Sequence, residues 1–344
     1  MAMSLEEFLE EWNNPSPYVR VQTSGSTGAP KPLLVEKRRM LNSARITCDF
    51  LGLRESDTAL LCMSLDYIAG KMMVVRSIER GLRLIVQEPS GHPLGGAQWG
   101  HWGHRGTVPR VRSLRSTSGT VPSVSSSIDF AAMVPMQVYN SLQVPEERER
   151  LRQIKNLIIG GGAIDDAMAA ELKTFPHAVW STYGMTETLS HIALRRLSGP
   201  EASEFYTPFP GVRLSLSDED CLIIDAPEVC PEPLVTNDVA ELSSQKFKIL
   251  GRKDNIICSG GLKIQAEQLE RQLRPHLRAP YLISKRPDAK FGEIVVLLTE
   301  GSVDEAREVC QRVLPKYHQP RAYIHLDHIP LTETGKPARF RLNI

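Results

Sequence analysis

The residues with the clearest capacity for chemistry lie in one run near the start of the chain, Thr23-Ser24-Gly25-Ser26-Thr27-Gly28-Ala29-Pro30-Lys31. Its glycines let backbone N–H groups approach a phosphate, its hydroxyls add hydrogen-bond donors, and Lys31 adds a positive charge. The G-x-x-x-x-G-K-[ST] spacing of a Walker A motif is absent, which argues against a kinase of the P-loop type. A generic Ser/Gly linker is the alternative, but it does not account for a loop between a strand and an amphipathic segment. The run therefore predicts a phosphate-binding loop.

Two more runs follow in the chain: Gly160-Gly161-Gly162-Ala163, which ends an apolar strand, and Trp180-Ser181-Thr182-Tyr183-Gly184-Met185-Thr186-Glu187-Thr188. Bare backbone at the glycines allows a flat ring to lie against the strand end. The carboxylate of Glu187 is a hard oxygen ligand, suited to a metal ion that bridges triphosphate oxygens. The alternatives are a tight strand–helix turn for the glycines and an ordinary strand-to-loop junction for the second run.

The C-terminal third of the chain contains four short polar motifs, Thr236-Asn237-Asp238, Gly251-Arg252-Lys253-Asp254, Ser259-Gly260-Gly261-Leu262 and Thr334-Gly335-Lys336. Asp238 can accept hydrogen bonds from both hydroxyls of a ribose, and Arg252 can donate to the same sugar. Surface turns are the alternative for the first two motifs. A lone lysine near a terminus is usually a solvated charge. Only the order of the motifs before it indicates a functional role for Lys336.

That order resembles the acyl-adenylate-forming superfamily, which contains acyl-CoA synthetases, luciferases and nonribosomal adenylation domains. The resemblance implies ATP, Mg²⁺ and coenzyme A as ligands, with a carboxylic acid first joined to AMP and then passed to the CoA thiol. It implies phosphate binding by the first run, nucleotide contacts from Gly161, Gly162, Ala163, Thr182, Tyr183 and Gly184, catalytic contacts from Thr186, Glu187 (also the metal ligand) and Lys336, ribose binding by Asp238 and Arg252, a hinge at Asp254, and a thiol tunnel along Gly260 and Gly261.

Within the superfamily, the chain most resembles the short o-succinylbenzoate–CoA ligases of menaquinone biosynthesis. The resemblance lies in residues 66–76, 185–191 and 236–238. Because only 22 residues precede the phosphate loop, a minimal version of such an enzyme is expected. Many relatives have an acidic residue at position 262, a proline at 266 and a histidine at 67, where this chain has Leu262, Ala266 and Tyr67.

A dianionic aromatic acid needs a cationic or hydrogen-bonding group for its second carboxylate. The predicted acyl-pocket residues are Tyr67, Lys71, Ser190 and His191. For Lys71 and His191, the alternative is that they are ordinary surface residues. Other functional hypotheses remain open: a ligase for another aryl or acyl acid, a ligase that loads a carrier protein, or a silent nucleotide-binding protein.

The elements that must position these residues follow from hydrophobic periodicity. A short helix over 4–13 and a strand from Tyr18 to Thr23 precede alternating strands and helices, which predicts an α/β domain with mostly parallel sheets flanked by helices. From Phe247 a smaller, mobile α+β domain is expected. The predicted domains are 1–252, which binds AMP and the acid, and 253–344, which contains Lys336.

One segment, 89–127, does not fit this pattern. It contains no acidic residue and no aliphatic periodicity, while Gly, Ser, Arg, His and Trp crowd together. Such a composition does not bury enough apolar surface to order itself easily. A mobile surface loop and a segment whose coding frame has shifted and been restored both account for it, and no function is assigned to it.

The composition excludes several classes of protein. A net charge of +1 gives no reason to expect a nucleic acid or a membrane surface as partner. The longest apolar runs fall short of the ~20 residues that span a bilayer, and the acidic N-terminus is unlike a signal peptide. The six cysteines show no metal-like spacing. A cytoplasmic enzyme acting on small molecules is expected, with its oligomeric state left open.

Overall fold

A computed structural model of the protein describes residues 3–22, 32–95, 128–162, 164–331 and 337–339. These residues form two compact units. The first unit contains the described residues within 1–25, 29–213 and 225–233, and the second contains 214–224 and the described residues within 234–344. The predicted fold class is confirmed: a large α/β unit is followed by a smaller α+β arrangement.

The elements of the first unit are helices α1 (Leu5–Asn13), α2 (Lys37–Leu51), α3 (Ile68–Arg80), α4 (Pro135–Gln143), α5 (Pro145–Arg152) and α6 (Asp166–Leu172), and strands β1 (Tyr18–Gln22), β2 (Pro32–Glu36), β3 (Thr58–Leu61), β4 (Arg83–Val86), β5 (Phe130–Met133), β6 (Asn156–Ile159), β7 (Ala178–Gly184), β8 (His191–Arg196) and β9 (Thr207–Pro208). A capping box between Ser4 and Glu7 starts α1. Gly52, in the left-handed conformation, ends α2, as the sequence predicts.

A seven-stranded sheet organises the first unit in the order β4-β3-β5-β6-β7-β8-β9. The pairs from β4 to β7 are parallel, as expected, whereas β8 and β9 join antiparallel. Strands β3 and β5 are buried along their whole length, because helices cover both faces of a parallel sheet. The carboxyl ends of β5, β6 and β7 therefore meet along one edge, where ligands bind in open α/β sheets.

The elements of the second unit are strands β10 (Arg213–Leu216) and β11 (Cys221–Asp225), which reach the unit boundary, then β12 (Leu234–Ser243), β13 (Lys246–Arg252), β14 (Ile256–Ser259), β15 (Leu262–Gln265), helix α7 (Ala266–Leu273), β16 (Tyr281–Asp288), β17 (Gly292–Thr299), helix α8 (Val303–Val313) and β18 (Ala322–His325). One sheet has the order β10-β11-β12-β13, and the other has the order β15-β14-β17-β16 with β18 beside β17. The compact division thus groups β12 and β13 with the C-terminal elements. The boundary near Arg252 stays a prediction about where the chain pivots.

The first residues of the unpatterned segment belong to the folded first unit. Leu94 is fully buried in the core, and Nη1 of Arg150 donates a hydrogen bond of 2.7 Å to its carbonyl oxygen. Nε2 of Gln137 donates to the carbonyl of Ser90 at 2.9 Å. Side-chain periodicity could not predict this order, because hydrogen bonds to backbone carbonyls hold the segment. Residues 96–127 lie outside the described residues.

The described part of the chain includes no helix that is both long and apolar enough to cross a membrane. All six cysteines are free thiols, and five of them are buried, with Cys258 exposed.

Candidate active site

The loop after β7 presents the predicted catalytic residues of the first unit. A Cβ on Gly184 would lie 2.2 Å from the carbonyl oxygen of Ser190, so only glycine allows the chain to pass there. A short 3₁₀ helix, Thr186–Thr188, follows. The backbone N–H of Met185 donates to Oγ1 of Thr188 at 3.0 Å, and that hydroxyl donates to the carbonyl of Ser190 at 2.7 Å. The loop is therefore held at both ends.

Glu187 is exposed at the centre of this loop. No ion pair joins its carboxylate to another side chain among the described residues, nor do these residues hold a group of three metal-ligating side chains. A single carboxylate suits Mg²⁺, which keeps several waters and is bound through one or two carboxylates together with substrate phosphates. The site fits a metal ion that arrives with ATP as part of the substrate.

Tyr183 lies beside a second tyrosine that the sequence did not indicate. The ring centroids of Tyr183 and Tyr206 are 5.8 Å apart, with an angle of 56° between the planes. Oη of Tyr206 shares a hydrogen bond of 2.9 Å with Oγ of Ser181. The guanidinium of Arg195 lies 5.4 Å from the centroid of the Tyr206 ring. Tyr206 thus supports the ring that is predicted to contact adenine.

The glycines after β6 lie at the same sheet edge as Tyr183, because β6 and β7 are parallel neighbours. Gly161 and Gly162 are within the described residues, and Thr182 is part of β7. Ala163, the phosphate loop 23–31 and Lys336 lie outside the described residues, so their roles stay predictions.

A buried guanidinium beside this loop is the main feature that sequence reasoning missed. Arg76, on α3, is 2% exposed, and its Nη2 donates to Oγ of Ser190 at 2.7 Å. Its Nε has no hydrogen-bond partner, and within the described ranges no carboxylate forms an ion pair with it. Burial lowers the pKa of Arg76 to about 10, which leaves it charged at neutral pH. A buried charge without a counter-ion is costly.

His191 continues the hydrogen-bond chain from Arg76. Its Nδ1 lies 3.1 Å from Oγ of Ser190, and its Nε2 lies 3.1 Å from Oγ1 of Thr47, which also lies 3.0 Å from the carbonyl of Ser43. If the Thr47 hydroxyl donates to that carbonyl, it accepts from Nε2–H, and Nδ1 accepts from Ser190. This assignment needs a neutral imidazole. Burial, and then the charge of Arg76, lower the pKa of His191 well below its usual value.

Ser190 and His191 share this hydrogen-bond chain, and their place in an acyl pocket stays a prediction, whereas Lys71 lies in a different setting. Its Nζ donates to the carbonyl of Arg20 at 2.6 Å and lies 3.7 Å from a carboxylate oxygen of Glu11 on α1. Rotation of about 100° per helical residue directs Lys71 and Arg76 to different sides of α3. Tyr67 occupies the N-cap position of that helix, without a capping hydrogen bond from its side chain. These contacts favour a structural role for Lys71, and its place in an acyl pocket stays a prediction.

The second unit brings the predicted ribose residues together. Asp238 and Arg252 face each other across β12 and β13, with Nη1 of Arg252 3.1 Å from Oδ1 of Asp238. Nη2 of the same arginine lies 3.4 Å from Oδ2 of Asp254, the predicted hinge residue. The side chain of Arg252 is 38% exposed, so it can still reach a ligand.

The glycine-rich turn of the second unit is a two-residue hairpin between β14 and β15. Gly260 and Gly261 have φ angles of +59° and +85°, the left-handed pair that a type I′ turn requires. This geometry explains the glycine pair without reference to a thiol, and the tunnel assignment stays a prediction.

The fold and the motifs define the class of the protein. The chain belongs to the family of AMP-binding enzymes, whose sequence profile matches residues 7–227. It is an AMP-forming acid–CoA ligase. The chain is 24% identical to the 2-succinylbenzoate–CoA ligase of Enterococcus faecalis, over 99% of this chain and 72% of that protein.

Solved structures show the same fold. An acyl-CoA synthetase (AMP-forming)/AMP-acid ligase II-like protein from Dyadobacter fermentans is 30% identical, with a TM-score of 0.63 over 97% of this chain and 92% of that one. The o-succinylbenzoate coenzyme A synthetase from Bacillus subtilis, solved with ATP and magnesium, is 20% identical, with a TM-score of 0.72 over 94% of this chain and 69% of that one.

Proposed function

We propose that the protein converts o-succinylbenzoate, ATP and coenzyme A into o-succinylbenzoyl-CoA, AMP and pyrophosphate. The observation that supports this acid is the buried guanidinium of Arg76, which has no carboxylate partner among the described residues. o-Succinylbenzoate has two carboxylates, and only one of them is activated. The other keeps its negative charge, which a buried guanidinium would balance. Ser190, in contact with Arg76, directly follows the loop that contains Thr186 and Glu187.

In the first half-reaction, one carboxylate of the acid attacks the α-phosphorus of ATP, and pyrophosphate leaves. Chemistry of this kind depends on positioning and on stabilising the negative charge that spreads over the phosphate oxygens. Tyr183 would contact adenine, Asp238 and Arg252 would bind the ribose, and Glu187 would hold the Mg²⁺ of the nucleotide. Lys31 and Lys336 would supply positive charge at the phosphates.

In the second half-reaction, the CoA thiolate attacks the acyl carbon and AMP leaves. The C-terminal domain would pivot near Asp254, so that Lys336 leaves the site and the turn at Gly260 and Gly261 enters. Lys336 would then serve adenylation only, and Lys336→Ala would slow that step by about 10²–10³-fold while sparing thioester formation.

The test is pyrophosphate release from MgATP with o-succinylbenzoate, with an analogue that lacks its second carboxylate, with benzoate and with a fatty acid, each with and without CoA. Release specific to o-succinylbenzoate, with CoA consumed, is the expected result. Release with another acid would keep the chemistry and reject this substrate. Nucleotide binding without release for any acid would reject the proposal as a whole.

A further inference from the structure

The segment that follows Lys336 is tied to the second unit by a partly buried ion pair. Arg339 lies three residues after Lys336, and its Nη2 lies 2.8 Å and 2.9 Å from the two carboxylate oxygens of Glu270 on α7. Its Nη1 donates to the carbonyl of Ile283 on β16. The side chains of Arg339 and Glu270 are only 19% and 14% exposed.

Glu270 is itself fixed in place. Its Oε1 accepts a hydrogen bond of 2.8 Å from the backbone N–H of Ile283, and the hydroxyl of Tyr281 donates to its carbonyl at 2.5 Å. Its neighbours on α7, Leu269 and Leu273, are buried in the core. Burial raises the pKa of the Glu270 carboxyl, and the guanidinium of Arg339 opposes that effect. Arg339 is thus bound to a residue that is itself held between α7 and β16.

A second tie lies even closer to Lys336. Pro337, the next residue, forms a bridge with Leu331, and the N–H of Ala338 donates to the carbonyl of Pro330 at 2.8 Å. Ala338 is fully buried. Three residues span at most about 11 Å, so the anchored backbone of Arg339 limits how far from it Lys336 can lie.

We propose that Glu270 and Arg339 are positioning residues for Lys336: the pair holds the chain behind the lysine where adenylation requires it. This inference rests on the proposed function, which assigns Lys336 to that half-reaction. A buried ion pair is weak evidence for stability, because apolar residues of similar volume often serve as well. A guanidinium that bonds a carboxylate and a carbonyl in one geometry instead fixes position. Misplacing a reacting group by about 1 Å can cost about 10²-fold in rate.

The test measures the two half-reactions separately in Arg339→Ala, Arg339→Lys, Glu270→Gln and Lys336→Ala. Adenylation is followed by pyrophosphate release, and thioester formation is followed with supplied acyl-adenylate and CoA. We expect Arg339→Ala to slow adenylation by about 10–100-fold and thioester formation by less than about threefold. Arg339→Lys should recover part of the loss. Because the two residues share one ion pair, Glu270→Gln combined with Arg339→Ala should be no slower than the worse single variant.

Arg148→Ala is the matched control, since it removes an exposed ion pair with Glu171 in the first unit and should leave both rates unchanged. Thermal unfolding of each variant checks folding, and Glu270→Gln keeps the test valid if Arg339→Ala does not fold. Equal losses in both half-reactions, or normal adenylation in Arg339→Ala while Lys336→Ala loses it, would overturn the inference alone. Normal adenylation in Lys336→Ala would overturn the assignment of Lys336 and the inference with it.

Discussion

Two arginines, one in each unit, differ chiefly in their partners. Arg339 lies against the carboxylate of Glu270, whereas Arg76 contacts a serine hydroxyl and meets no carboxylate in the described part of the chain. Both guanidinium groups are largely removed from water. Desolvation alone would therefore make both unfavourable, and only one of them is compensated within the protein.

The difference separates two uses of a buried charge. A paired guanidinium holds one chain segment against another, which is the role we infer for Arg339. An unpaired one raises the free energy of the folded protein and is relieved when an anion arrives, which is the property expected of a binding site. The hydrogen-bond chain through Ser190 and neutral His191 keeps the guanidinium of Arg76 oriented without neutralising it.

Stability measurements give the largest expected contrast. Arg339→Met leaves Glu270 buried and unpaired, and we expect it to lower the free energy of unfolding by about 3 kcal/mol. Arg76→Met removes an uncompensated charge, and we expect it to raise that free energy by about 1–3 kcal/mol. Denaturant unfolding of both variants checks the opposite signs. Adding Glu270→Met to Arg339→Met should restore much of the loss, and destabilisation of similar size at both arginines would break the comparison.

The fold was more predictable than the different roles of Arg76 and Arg339, because periodicity and turn chemistry act over short stretches of sequence. The spacing of Val303, Ala306 and Cys310 predicts α8, and Gly260-Gly261 predicts a turn. Motif order assigned Asp238 and Arg252 to one ribose, and the structure brings the two side chains together, while their role in binding a ribose stays a prediction. The roles of the two arginines depend on partners far away in sequence. Ser190 lies 114 residues from Arg76, and Glu270 lies 69 residues from Arg339.

The antiparallel strands β8 and β9 were missed for a related reason. The pairing of β8 with β7 depends on the return of the chain through the loop 185–190, and β9 pairs in turn with β8. The residue types of that loop predict its chemistry, but they do not predict the direction in which the chain leaves it. The prediction of Lys71 as the candidate cation rests on its position one helical turn beyond Tyr67. Both Lys71 and Arg76 are buried, and what distinguishes them is the counter-ion Glu11 beside Lys71, which only the folded chain brings there.

Acid selectivity tests the binding side of the comparison. If Arg76 balances the second carboxylate, Arg76→Met should lower kcat/KM for o-succinylbenzoate by about 10²-fold, about 2.7 kcal/mol. The same variant should change kcat/KM by less than about threefold for an analogue with one carboxylate. Lys71→Met removes the other cation of α3 and tests the sequence-based candidate directly. Loss of selectivity in Lys71→Met with none in Arg76→Met would assign the role to Lys71.

The pH dependence of stability gives the smallest effect and connects Arg76 to His191. The pKa of His191 is lowered in the folded protein, so the unfolded chain binds a proton first as the pH falls below about 6.5. The free energy of unfolding therefore decreases as the pH falls, by up to about 1.4 kcal/mol per pH unit. The decrease stops once the pH is below the pKa of the folded state. His191→Gln should lack this contribution, which appears as a difference in unfolding free energy between pH 7 and pH 5.

Arg76→Met should reduce the same loss, because Arg76 is the second cause of the lowered pKa. With that charge removed, the pKa of His191 in the folded state lies nearer its usual value, and the total loss, which scales with the shift, becomes smaller. If the unfolding free energy falls equally between pH 7 and pH 5 in wild type and Arg76→Met, the guanidinium does not act on the imidazole.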